Sequence, residues 1–180
     1  LFWGPVIASE RIASDSLALA ATLPAAFEAA GLVAPVVIGY VSDTLFQARR
    51  FPVCVLSLLI LSVVLFLVGP LTSSGSTGWM LVAFFLVGFF QYGPDTMVVG
   101  TAAVEFGTNK GAGSAAGFIN GCGSCGQILG VALPGYLMTW FPDADTTLML
   151  FYGFSGAALV ASLLLMPFWN LVPSTGKRTA

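Results

Sequence analysis

The sequence predicts an all-α membrane protein with five complete spans. Three observations lead there. Apolar residues make up 57% of the 180-residue chain and charged residues only 8%, whereas a soluble domain is near half apolar and about a quarter charged. Mean hydropathy is +0.95. The few charges gather between long apolar runs, above all in Gly39–Arg50, G-Y-V-S-D-T-L-F-Q-A-R-R, which links a run ending at Ile38 to one beginning at Phe51. Two apolar segments joined by a short basic connection are two spans meeting on one side of a bilayer.

The elements follow in order. Residues 1–8 are expected to be the last turns of a span that starts upstream, and the chain, opening on Leu1, is expected to be a piece of a larger protein. Glu10, Arg11 and Asp15 make a polar loop. The first complete span covers about 16–40, with Pro24, Glu28, Gly31, Pro35 and Gly39 spaced by three and four along one face, which reads as its packed side. The second, 51–70, carries no charge between Val53 and Val68 and is expected at the lipid-facing edge of the bundle. The third, 79–105, is interrupted at Gly93-Pro94, the fourth is 113–140, and the fifth is 148–171. Trp3, Trp79, Tyr136 and Trp140 stand near span ends, where aromatic residues anchor at the interface.

Five spans alternate the loops between two sides. One side receives Arg49, Arg50, Lys110, Lys177 and Arg178; the other receives Arg11 with Glu10, Asp15, Asp143 and Asp145. The positive-inside rule puts the 39–50 loop and the C-terminus in the cytoplasm. Whether the membrane is the endoplasmic reticulum or the plasma membrane stays open.

Several function classes fall away. A net charge of −2 without a basic patch gives nothing to hold nucleic acid. With no His in the chain, His-based zinc sites and serine–histidine triads have no place in it. Cys122 and Cys125 form a C-x-x-C, but inside an apolar, Gly-rich span with no second ligand pair they read as small packing residues. No cofactor or metal is expected. An enzyme would need a polar cluster near one interface, and the sequence offers none.

The polar residues inside the spans carry the functional reading. A charge at the bilayer centre costs about 2.5–3.5 kcal/mol on insertion scales, so Glu28 is expected to line an aqueous cavity. Asp95 and Tyr92 flank Pro94, which loosens the helix and exposes polar groups. On the fourth span, Asn120 and Gln127 share a face, giving two more candidates for contact with a polar solute. Gly113, Gly117 and Gly121 recur every four residues and read as helix-packing positions.

Gly39-Tyr40-Val41-Ser42-Asp43, followed by Arg49-Arg50, resembles the second-half copy of the cytoplasmic loop motif of the major facilitator superfamily, with Thr44 where a basic residue is usual. The longer spacing to the arginines, Glu28 ahead of the Ser-Asp, and Tyr92-Gly93-Pro94 resemble the organophosphate:phosphate antiporter family. F-G-T-N-K with the Gly-rich run 111–130 looks most like its eukaryotic sugar-phosphate exchangers. The resemblance implies a C-terminal six-helix half (the end of helix 7 plus helices 8–12) that works with a missing N-terminal half, exchanging a phosphorylated sugar or glycerol phosphate for inorganic phosphate by alternating access. It implies that Gly39, Asp43, Arg49 and Arg50 form a conformational latch, with Asp43 beside the N-terminus of the Gly-rich helix. It also implies that phosphate-binding basic residues lie outside this chain. Two rivals are a carrier for another organic anion, proton-coupled through Glu28 or Asp95, and a sensor that does not transport.

Overall fold

A computed structural model describes residues 17–47, 49–72, 77–102, 111–141 and 145–171. Its described residues form five long helices, each long and apolar enough to cross a membrane. They are α1 (Leu17–Leu45), α2 (Arg50–Thr72), α3 (Thr77–Thr96), α4 (Ala112–Trp140) and α5 (Thr146–Leu165). A π-helical segment, Met97–Ala102, prolongs α3, and a 3₁₀ turn, Met166–Phe168, follows α5.

The boundaries have local causes. α1 runs on through Gly39 and Asp43 to Leu45, so most of the charged island between the first two spans is helix and the turn shrinks to 46–49. Nothing in Val41–Leu45 breaks a helix, and the Thr44 hydroxyl donates to the Tyr40 carbonyl at 2.7 Å. The reversal occurs at Gln47, whose φ of 53° is left-handed and rare outside Gly and Asn. α5 starts under the carboxylate of Asp145, which accepts from the Leu148 amide at 3.1 Å as an N-cap does. It ends at Leu165 rather than 171: Pro167 has no N–H to donate to the ladder, and a 3₁₀ turn takes over.

Two pairings hold the described helices together. α1 and α3 run in the same direction: Phe27 lies beside Gly88, Gly31 beside Tyr92 and Gly39 beside Met97, ascending together on both helices. Close approach is possible because the contact points are glycines. An added Cβ at Gly88 would stand 2.5 Å from the Phe27 carbonyl oxygen, and one at Gly93 2.6 Å from Ile38 Cγ1. The ridge that α1 buries is Leu23, Phe27, Ala30, Ala34 and Ile38. The stripe expected as its packed side, from Pro24 to Gly39, lies along the shoulder of that ridge, with Glu28 exposed.

α2 and α5 run in opposite directions. Val55 meets Ser162, Ser62 meets Ser155, and Gly69 meets Leu148. Those partners step by seven on each helix. A seven-residue repeat keeps one face of each helix on its neighbour with a small left-handed coil. α2 also packs on α3. It is therefore the most covered span in this chain, not an edge helix exposed all round. Its serines explain the difference: Ser57 and Ser62 are buried, and Leu56, Ile60, Val63, Phe66 and Leu67 face outward.

α4 stands apart. Apart from Pro134 its side chains are half-buried or exposed, and among the described elements it touches only the π segment and α5 to any extent. Gly113, Gly117 and Gly121 meet no helix among the described residues: a Cβ added at any of them would find nothing within 4 Å. Among the described residues the close helix approaches are at Gly31, Gly69, Gly88 and Gly93.

Candidate functional site

Glu28 on α1 and Tyr92 on α3 meet across the parallel seam. The Tyr92 hydroxyl donates to Glu28 Oε2 at 2.7 Å. The ring is seated by its neighbours: its centroid is 5.2 Å from that of Phe27 at a tilt of 53°, and it lies against the bare α-carbon of Gly31. Glu28 is exposed in this chain and Tyr92 half-exposed. A carboxylate joined to a phenol between two apolar helices can hold a proton or accept hydrogen bonds. It also repels anions unless cations balance it.

Asp95 is exposed three residues further along α3. Pro94, inside α3, cannot donate to the ladder. Thr96 Oγ1 donates to the carbonyls of Tyr92 and Gly93, at 2.9 Å and 3.0 Å, and the buried Cys54 thiol points at the Pro94 carbonyl at 4.0 Å. The π turns begin directly after Thr96, and such turns often accompany functional breaks in a helix. Asn120 and Gln127 lie exposed on α4; the Asn120 carbonyl accepts from Ser124 Oγ at 3.0 Å. The structure thus joins Glu28 to Tyr92, with Asp95 three residues on along α3 and Asn120 and Gln127 on the separate helix. Cys122 and Cys125 are exposed and unlinked on that helix.

The second cluster closes the α1–α2 turn. Arg50 Nη1 binds Asp43 Oδ1 at 2.5 Å and Ser42 Oγ at 3.1 Å, and Ser42 Oγ donates to the Arg49 carbonyl at 3.2 Å. The Arg50 side chain is 12% exposed and that of Asp43 59%. Among the described residues the Arg49 side chain forms no ion pair; its backbone amide donates to the Phe46 carbonyl at 3.0 Å. Gly39 touches the end of Met97, which ties the turn to the π segment. The hydrogen bonds of Asp43 among the described residues run within the α1–α2 turn, none of them to the start of α4. Asp43 is satisfied instead by Arg50, seven residues on. Ser42 was not a candidate from the sequence. Its signal was its place inside the G-Y-V-S-D motif, at a buried position of α1 next to the acid. Glu105, Lys110, Lys177, Arg178, Arg11, Glu10, Asp15, Asp143 and the F-G-T-N-K stretch lie outside the described residues.

The sequence profile of the Major Facilitator Superfamily matches residues 2–180. The chain belongs to the Major Facilitator Superfamily. It is an integral, multi-pass membrane protein, as the family and five apolar helices together require. Similar proteins fall in the organophosphate:phosphate antiporter branch. The membrane sensor protein UhpC of Escherichia coli strain K12 is 34% identical over 170 residues, 93% of this chain and 37% of the relative. A probable hexose phosphate transport protein of Chlamydia muridarum is 35% identical over 146 residues, 80% of this chain and 30% of the relative. The glycerol-3-phosphate transporter of Bacillus subtilis strain 168 is 30% identical over 154 residues, 84% of this chain and 32% of the relative. This facilitator chain therefore spans about a third of the length of the curated relatives it matches. Among solved structures no significant match is found.

Proposed function

We propose that the full-length protein is a secondary transporter that exchanges a phosphorylated sugar or glycerol phosphate for inorganic phosphate by alternating access, and that this chain supplies helices 8–12 of its C-terminal half. The observation that carries this reading is that relatives aligned with at least 80% of the chain are named for hexose phosphate and glycerol 3-phosphate. The geometry supports it. Glu28, Tyr92 and Asp95 give the α1–α3 seam a polar face that an all-lipid environment would penalise. The Glu28 carboxylate there can neutralise phosphate-binding cations of the other half while the site is empty. Asn120 and Gln127 of α4 would border the same path. The Ser42–Asp43–Arg50 cluster, with Gly39 and Arg49 around it, would latch the cytoplasmic side in the outward-open state. The C-terminus is cytoplasmic in this reading.

One observation favours a second reading. The relatives covering 93% of the chain bear the name of a membrane sensor, and a sensor can keep the binding site and latch without flux. The test is the full-length protein in liposomes loaded with labelled phosphate. Efflux driven by external hexose 6-phosphate or glycerol 3-phosphate supports exchange. Saturable binding of the same esters without flux supports the sensor. Neither binding nor flux overturns both.

A further inference from the structure

We propose that Gly31 is a positioning residue for the Tyr92 hydroxyl, and through it for the Glu28 carboxylate. An added Cβ at Gly31 would lie 3.0 Å from both Cδ2 and Cε2 of the Tyr92 ring and 3.4 Å from its Cγ. The ring therefore rests on an α1 position that offers no side chain. It cannot simply slide sideways, because Phe27, one turn back on α1 and buried, packs against it. Seated there, the hydroxyl reaches Glu28 Oε2 at 2.7 Å. Glu28, Gly31 and Phe27 are thus three successive parts of one α1 surface: the acceptor, the seat and the wall.

This role differs from that of the neighbouring glycines. At Gly88 the nearest atom to an added Cβ is backbone, the Phe27 carbonyl oxygen, so a side chain there must push the helices apart. At Gly31 the obstacle is the ring alone, so a methyl group moves the tyrosine by a few tenths of an ångström and leaves the helices in place. A displaced hydroxyl gives up a short bond to a carboxylate. The functional consequence rests on the proposed exchange: a Glu28 carboxylate released by Tyr92 competes more strongly with the substrate anion for the cations of the other half. That competition weakens substrate binding rather than slowing the turnover of the loaded carrier.

The experiment is a double-mutant cycle on the full-length protein. Its first readout is the tyrosine doublet in ultraviolet Raman spectra, taken as the difference against the matching Tyr92→Phe protein, which reports whether the Tyr92 hydroxyl donates. The wild-type difference should show a strong donor, and Gly31→Ala should lose that signature. Loss supports the proposal, and an unchanged donor signature overturns it, whether or not the protein transports anything. The second readout is phosphate exchange. Gly31→Ala should raise KM about three- to tenfold, the scale of one typical net hydrogen bond, with kcat nearly constant. In the Tyr92→Phe background the same change should have no further effect on KM. An equal effect in both backgrounds marks a merely structural glycine and overturns the positioning role. If Gly31→Ala does not accumulate in the membrane, recovery of abundance in Gly31→Ala/Tyr92→Leu identifies the ring as the obstacle, and failure to recover overturns it.

Discussion

At Gln47 a β-carbon-bearing residue holds a φ of 53° to turn the chain between two helices. Left-handed backbone of that kind costs of the order of 1 kcal/mol outside glycine. Gly relieves that strain while adding freedom to the unfolded chain, so Gln47→Gly should be neutral or stabilising by less than about 1 kcal/mol. The thermal midpoint of the full-length protein in detergent checks it, and a clear drop contradicts it. Close by, Asp43 and Ser42 share the Arg50 guanidinium. Asp43→Asn keeps a hydrogen-bond acceptor but removes the charge, so it should slow exchange while leaving protein abundance near wild type. Exchange at the wild-type rate in that variant contradicts the latch. Gly88 sits under the Phe27 carbonyl, and the methyl of Gly88→Ala must open the α1–α3 seam. Overpacking of that kind costs about 1–3 kcal/mol, readable as lost abundance and a lower thermal midpoint; unchanged stability contradicts the seam as drawn. Individual residues were unevenly legible in the sequence. Glu28 announces itself as a charge inside an apolar run. Its partner does not, because which of several tyrosines reaches it depends on the register of α1 against α3, a property of two helices together. The roles of Gly88 and Gly93 were hidden for the same reason: a glycine's neighbour is invisible until the helices are packed.

Among the elements, α2 and α5 show how an apolar sequence conceals its own contacts. Lipid is as apolar as a leucine face, so helices in a membrane find each other through small and polar side chains. The Ser62 hydroxyl donates to the Ser155 carbonyl at 2.8 Å, and Ser155 returns a bond to the Ser62 carbonyl at 2.7 Å. Ser162 donates to the Val55 carbonyl at 3.1 Å one repeat along. Ser62→Ala and Ser155→Ala should each cost about 0.6–1.7 kcal/mol, the range of interhelical hydrogen bonds in membrane proteins, and the double variant should lose more than either alone. Unfolding of the full-length protein in mixed micelles measures this, and a double variant as stable as wild type contradicts the clamp. Hydropathy located α2 within a residue or two at either end, yet its uniform apolarity suggested a lipid-facing position. The buried serines, not the leucines, mark the face that packs. α4 shows the converse. Its glycine spacing is plain in sequence, but among the described residues the spaced glycines meet no neighbour. The period of a pattern tells which residues share a face and leaves unsaid what that face meets.

For the whole molecule, the order of five helices was legible because each span carries its own length and hydropathy signal. The family was legible in the G-Y-V-S-D…R-R and Y-G-P motifs, and the profile match over residues 2–180 bears it out. The shape of the site was less so, since the spacing along one chain does not say that Glu28 and Tyr92, 64 residues apart, share a hydrogen bond. The central claim is that the face carrying Glu28, Tyr92 and Asp95 borders water on the substrate path. The direct measurement is the reaction of a charged, membrane-impermeant thiol reagent with cysteines placed singly at 92 and 95 in the full-length protein, its native cysteines replaced. Ile60, on the outward face of α2, serves as the control for a lipid-facing position. The account predicts rapid labelling at 92 and 95, slowed by hexose 6-phosphate, with Ile60→Cys inert. Labelling at 92 and 95 as slow as at 60 would contradict it.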